Sequence, residues 1–275
     1  MRQTEGSVVC TNCGRLVDVG EKNCPHCGQW RPGMFGYAST LRNAFGGLDV
    51  THLIVYTCSF LFLASLVADV RGAFSNPLGL FSFLSPSPRA LALFGRTGAD
   101  MPWTTQFSAT LLHGSALHIF FNMMWIRSMG SFIEEEFGGA RYFTLFVLSG
   151  FGGFLLSNRL SGAPTIGASG AVFGLLGAAI VFGRHRGGSL GQAVTQQAWG
   201  YAIAIFVMGF LMRGINNYAH AGGFLTGYLV ASIQVRRLNN AESPLEQILA
   251  LGLAVMSILA IVLSILHVAP HIYRI

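Results

Sequence analysis

The chain has 275 residues, 52% of them hydrophobic and 10% charged, with a formal net charge of +6. Its mean hydropathy of +0.54 excludes a soluble globular protein of ordinary make-up and implies a lipid-embedded one. The positive charge does not point to nucleic acid as a partner, because the basic residues stand singly or in pairs between apolar stretches and form no patch.

Residues 1–34 read as a separate unit. Cys10-Thr11-Asn12-Cys13 and Cys24-Pro25-His26-Cys27 are two Cys-x2-Cys pairs, followed by Gly14 and Gly28. Two such knuckles can offer four thiolates, Cys10, Cys13, Cys24 and Cys27, to one tetrahedral zinc. Two disulfides are the alternative and require an oxidising compartment. Four sulfur ligands leave no open position, so the zinc is expected to be structural and to supply much of the folding free energy of so short a segment. Residues 35–49 read as a linker. The first 48 residues lack an apolar run behind a basic start, so no signal peptide is expected.

Seven apolar stretches follow: His52 to Ala68, Ala109 to Ile133, Tyr142 to Leu160, Ile166 to Gly183, Val194 to Met212, Tyr218 to Val235 and Leu245 to Val268. Most approach the roughly 20 residues that a bilayer core requires. Residues 72–106, broken by prolines and glycines, are expected to form short pieces lying in the membrane interface. Cys58 in the first stretch reads as a small buried side chain. The last stretch reads as lipid-facing ballast, polar only at Ser257 and Ser264. A cytoplasmic N-terminus puts ten Arg and Lys residues inside and six outside, with Arg127 within a span, which favours that orientation.

Three stretches carry chemistry. The second holds His113, His118, Asn122 and Arg127 and ends in Glu134-Glu135-Glu136; the four-residue spacing puts His118 and Asn122 on one helix face. The fourth opens with Gly167-Ala168-Ser169-Gly170, and the sixth with Asn216-Asn217-Tyr218-Ala219-His220. Small residues at Gly170, Gly174 and Gly177 on one helix, and at Gly223 and Gly227 on the other, suit close contact between the two. Ser169 precedes Gly183 by 14 residues, His220 precedes Val235 by 15, and His118 precedes Ile133 by 15. All three then lie in one layer, roughly 20 Å from the inner face.

A serine in that layer needs a base to take its proton, and a neutral His220 can serve. No carboxylate lies well inside a span, so a Ser169–His220 dyad is expected. Phe173, one turn beyond Ser169, can pack on the imidazole. The backbone N–H groups opening the Ser169 helix, with the side chains of His118 and Asn122, can meet a developing oxyanion.

Gly167-Ala168-Ser169-Gly170, His118-Ile119-Phe120-Phe121-Asn122 and His220-Ala221-Gly222-Gly223 followed by Gly227 together resemble the rhomboid family of intramembrane serine proteases over roughly residues 50–238. The resemblance implies an all-α polytopic membrane fold with a six-helix core, here with a seventh C-terminal helix (239–275) and the N-terminal knuckle. It implies Ser169 as nucleophile, His220 as base, and His118, Asn122 and the Ser169 backbone as the oxyanion hole. Phe173, Gly167, Gly170 and Gly223 support that site, and no cofactor is required for catalysis. Single-span membrane proteins are the implied substrates, in a multi-pass protein of a prokaryotic cell membrane whose site opens to the outer side. Phe173 stands where the family often has tyrosine, and Trp103 is followed by Thr104 where the family often has arginine. Two other functions compete: an inactive relative that binds transmembrane helices, and a membrane metal site built on His113, His118 and His220.

Overall fold

The structure, a computed structural model, describes residues 3–10, 15–36, 49–73, 83–212 and 214–272. Most of the linker expected over 35–49 falls on residues 37–48, outside the described ones, as does Cys13. The N-terminal unit holds an antiparallel pair, β1 (Ser7–Val9) and β2 (Leu16–Asp18), in the register Val8 to Val17. The period-2 alternation of a strand turns that valine pair inward, and both are buried.

The remainder is helical: α1 (Val50–Ala68), α2 (Pro88–Leu93), α3 (Thr105–Ser108), α4 (Ala116–Trp125), α5 (Ser131–Phe137), α6 (Gly139–Leu160), α7 (Ser169–Arg186), α8 (Gly188–Leu211), α9 (Asn217–Gln234) and α10 (Pro244–Ile272). The seven apolar stretches correspond to α1, the α4–α5 unit, α6, α7, α8, α9 and α10. By length and composition, α1, α6, α8 and α10 can cross a membrane. Of the site-bearing helices, α4 has only 10 residues, α7 closes on Arg184, His185 and Arg186, and α9 opens on the polar Asn217 and His220. Short helical pieces occupy the described part of residues 72–106, with Ser87 capping α2 through its bond from the Ala90 N–H at 3.2 Å.

The second stretch departs from its expected bounds. Its helix does not start at Ala109; a 3-10 turn, Ala109–Leu111, gives way to extended backbone at Leu112. Ser115 then opens α4 by accepting the His118 N–H at 3.2 Å. Hydropathy continues through this break, whereas a serine with extended backbone ends one element and caps the next. Further along, a π-helical turn over Ile126–Gly130 joins α4 to α5, and Arg127 within it is exposed.

Helix α7 is the axis of the bundle, buried from Gly170 through Gly183 and packed against α6, α8 and α9. A glycine seam sets its distance from α9. A Cβ at Gly223 would run into the Gly170 backbone, and one at Gly227 into the Gly174 backbone. Such contacts let helix backbones approach closely where lipid provides no hydrophobic drive for helix association.

Polar latches close the two ends. At one end Glu134 accepts the Val50 N–H at 2.7 Å, the Thr51 N–H at 2.8 Å and the Thr51 hydroxyl at 2.7 Å, so its carboxylate sits on the positive pole of α1. Nearby, Arg141 donates through Nε to Glu246 Oε1 at 2.9 Å and through Nη2 to Glu246 Oε2 at 3.1 Å, and to the Asn240 carbonyl at 3.2 Å. This fork ties α10 to the start of α6 with the Arg141 side chain only 3% exposed. At the other end Ser264 Oγ donates to the Ala92 carbonyl at 2.8 Å. The last helix is thus clamped to the bundle at both ends and is more than lipid-facing ballast. Cys58 is fully buried within α1.

Candidate active site and cysteine cluster

Two loops deliver the candidate side chains, Ser169 and His220. The loop into α7 is pinned from three directions: Thr97 and Thr165 exchange backbone bonds at 3.1 and 3.3 Å, the Gly167 N–H donates to the Ala109 carbonyl at 2.9 Å, and Asn216 Nδ2 donates to Thr165 Oγ1 at 3.0 Å. Gly167 has φ +116°, in the left-handed region that favours glycine, and a Cβ there would stand 2.7 Å from both Cε1 and Nε2 of His118. The His118 ring therefore lies against the backbone just ahead of Ser169.

Ser169 is the first residue of α7. No side chain caps the helix, and the Val172 N–H, bonded to the Ala168 carbonyl at 2.9 Å, belongs to its first helical bond. The N–H groups of the preceding turn lack helical partners and carry the positive end of the dipole. His220 lies in the first turn of α9, which Asn216 caps by accepting the N–H groups of Tyr218 and Ala219. The glycine seam then brings the two helix starts together, leaving 3.0 Å between His220 Nε2 and Ser169 Oγ. Phe173 stacks on the imidazole, with ring centroids 4.3 Å apart and planes 17° from parallel. Gly170 lies where a Cβ would come 3.2 Å from the Ala219 carbonyl.

His118 Nδ1 accepts the Gly114 N–H at 3.2 Å. A neutral ring that accepts at Nδ1 carries its proton on Nε2, and that nitrogen faces Gly167. Asn122 is buried, with Nδ2 donating to the His118 carbonyl at 2.9 Å, which leaves its second N–H and its oxygen available. His113 is buried edge-on to His118 at a centroid distance of 5.2 Å.

Sequence reasoning assigned no role to Asn217. Its Oδ1 lies 3.2 Å from His220 Nδ1, on the side of the ring opposite the serine. The three-residue spacing signals the pairing, since residues three apart share a helix face, but an asparagine in the first turn of a helix reads equally as part of its polar start.

In the N-terminal unit, the sulfurs of Cys10, Cys24 and Cys27 lie within 4.8 Å of one another, and those of Cys10 and Cys27 are 3.8 Å apart. That is far longer than a disulfide bond. It equals the edge of a tetrahedron of sulfurs about 2.3 Å from a zinc ion, which is about 3.8 Å. Burial opposes ionisation of Cys24, but hydrogen bonds from the backbone of His26 and Cys27 and from the neighbouring thiols bring its pKa down to about 7, which eases loss of the proton that a thiolate ligand must give up. The three described cysteines fit a metal. Among the described residues this is the cluster with metal-ligand spacing, and the histidines at 113, 118 and 220 form no such group.

Residues 100–237 match the Rhomboid domain family. The chain is 34% identical over 181 residues to RHOMBOID-like protein 4 of Arabidopsis thaliana, covering 60% of this chain and 45% of that protein. It is 25% identical over 181 residues to Rhomboid protease GluP of Bacillus subtilis, covering 64% and 34%. Over 210 residues it is 27% identical to Rhomboid-type serine protease 2 of Emericella nidulans, covering 74% and 40%. The chain thus spans less than half the length of each of these relatives. With a matching domain over half its length and an all-α polytopic membrane fold around a glycine-packed pair of helices, the chain belongs to the rhomboid family of intramembrane proteases.

Proposed function

We propose that the chain is an intramembrane serine endopeptidase that cuts single-span membrane proteins through Ser169 and His220. The observation that carries this reading is the 3.0 Å approach of His220 Nε2 to Ser169 Oγ. In the reaction, Ser169 Oγ gives its proton to Nε2 as it bonds to the carbonyl carbon of the scissile peptide. The carbonyl oxygen becomes an oxyanion, met by the N–H groups at the start of α7, by His118 Nε2–H and by the free N–H of Asn122. The imidazolium then protonates the leaving amine as the C–N bond breaks. Water repeats the sequence on the acyl-enzyme, releasing the second product and restoring the serine. Phe173 holds the imidazole face, and the small residues Gly167, Gly170 and Gly223 keep the two helix starts in register.

The zinc that Cys10, Cys24 and Cys27 would hold, completed by Cys13, supplies no part of this chemistry. The distribution of Arg and Lys favours a cytoplasmic N-terminus and a site opening to the opposite side. Cleavage of a panel of single-span proteins by purified chain in detergent tests the reading, comparing wild type with Ser169→Ala and His220→Ala under a metal chelator. Loss of cleavage in both variants, with wild type insensitive to chelation, is the expected result. Wild-type rates in Ser169→Ala would refute it.

A further inference from the structure

We infer that Asn217 is a positioning residue that sets the tautomer of His220, and that the backbone of α8 sets the orientation of Asn217. The inference rests on the reading of His220 as the base. A neutral imidazole accepts at one nitrogen only, so His220 can take the serine proton at Nε2 only if its own proton sits on Nδ1. The group opposite Nδ1 decides this. That group is the side-chain amide of Asn217, whose Oδ1 lies 3.2 Å away.

An amide could equally turn its NH2 toward the ring and impose the opposite tautomer. Its other end prevents this. Asn217 Nδ2 donates to the Phe206 carbonyl of α8 at 3.2 Å, and a backbone carbonyl can only accept. The chain of constraint runs from one carbonyl to the nucleophile: Phe206 C=O fixes Nδ2, Oδ1 then faces the ring, Nδ1 must carry the proton, and Nε2 is left as the acceptor for Ser169. Helix α8 is shaped for the amide, because a Cβ at Gly209 would run into Asn217 Oδ1. The same α8 residue braces the ring from a second side, as the Phe206 ring packs edge-on against Phe173 at 6.4 Å and 71°. The imidazole thus meets Ser169, Asn217 and Phe173; His118 is the other titratable ring near enough to act on it electrostatically, and no carboxylate is hydrogen-bonded to it among the described residues.

The test is the pH–rate profile of purified protein on one single-span substrate. It compares wild type, Asn217→Ala, Asn217→Asp, Gly209→Ala and the Asn217→Ala/Gly209→Ala double variant, with Ser169→Ala and His220→Ala as references. Asn217→Ala should lower kcat about tenfold, the effect of one neutral hydrogen bond, with KM little changed. Asn217→Asp, which puts a carboxylate beside Nδ1–H and favours the imidazolium, should move the acid limb upward by about one pH unit. Gly209→Ala should lower kcat in the wild-type background and add little to Asn217→Ala, since both act through one amide. The inference is overturned if Asn217→Ala keeps kcat within about twofold, if the Asp variant leaves the acid limb in place, or if the Gly209→Ala effect adds in full. Full activity in Ser169→Ala or His220→Ala would instead overturn the underlying base assignment.

Discussion

Gly223→Ala probes how the packing of two helices governs the chemistry. An added Cβ at position 223 would stand 2.6 Å from the Gly170 carbonyl carbon and 2.9 Å from its Cα, whereas ordinary contact starts at 3.4 Å. The obstacle is backbone on both sides, so no side chain can swing away, and because the Gly170 carbonyl oxygen stands nearer still, α9 must retreat by more than about 1 Å to recover contact distance. Ser169 and His220 sit in the first turns of these two helices, so the retreat stretches their 3.0 Å contact to about 4 Å or more, beyond hydrogen-bond reach. Overpacking of this kind costs about 1–3 kcal/mol of stability, while a displacement near 1 Å costs about 10²-fold in rate. Function should therefore fail well before the fold does. The assay pairs kcat/KM on a single-span substrate with the rate of covalent labelling of Ser169 by a fluorophosphonate, alongside thermal unfolding in detergent. Gly200→Ala on α8 is the control, because its Cβ meets nothing within 4 Å, and it should match wild type. Labelling and cleavage within about threefold of wild type in Gly223→Ala would show that helix separation does not control the serine.

Three other results are expected. Glu246→Ala should destabilise the protein by about 3 kcal/mol, because it strands the Arg141 guanidinium in a buried site; replacing both residues with apolar ones should recover most of the loss in a thermal melt. Elemental analysis of reduced protein should find one zinc per chain, falling well below that in Cys24→Ser, with cleavage by the wild type unaffected by chelation. Asp100, bonded to Arg96 at 2.6 and 3.1 Å, has its carboxyl held below the ordinary value chiefly by those hydrogen bonds. A depressed carboxyl pKa contributes stability that is present above the unfolded value, about 3.9, and is lost as pH falls through the folded one. The melting temperature of wild type should thus lose a contribution below about pH 4 that Asp100→Asn never has; identical acid limbs of the two stability curves would refute the pairing.

Much of this architecture is legible in the sequence. Hydropathy locates all seven long helical units, and glycines at 170, 174, 223 and 227 announce which two helices touch, because small residues at helical spacing have few other uses in lipid. Counting residues from the span ends puts Ser169, His220 and His118 in one layer, although the count cannot say which ring nitrogen faces which group. What escaped depends on features that apolarity does not encode. The break ahead of Ser115 and the π-helical turn at Ile126–Gly130 interrupt a stretch whose hydropathy continues. Asn217 reads as part of a polar helix start, and its orientation depends on the Phe206 carbonyl in another helix. The run Glu134-Glu135-Glu136 reads as a charged span end, whereas Glu134 caps α1 from 84 residues away in sequence.

The clamped last helix has a mechanical consequence. Glu246 holds α10 to the start of α6 and Ser264 holds it to the Ala92 carbonyl, and the 18 residue steps from one to the other measure roughly 27 Å of helix. An α-helix barely stretches, so α10 acts as a tie rod that fixes the distance between the Arg141 latch and the segment leading to Thr97, which in turn braces the loop before Ser169. A bilayer thicker or thinner than this length cannot be met by drawing those two ends apart or together. It must be met by tilt of the whole bundle or by the lipid itself, and the geometry around the serine is thereby insulated from membrane thickness.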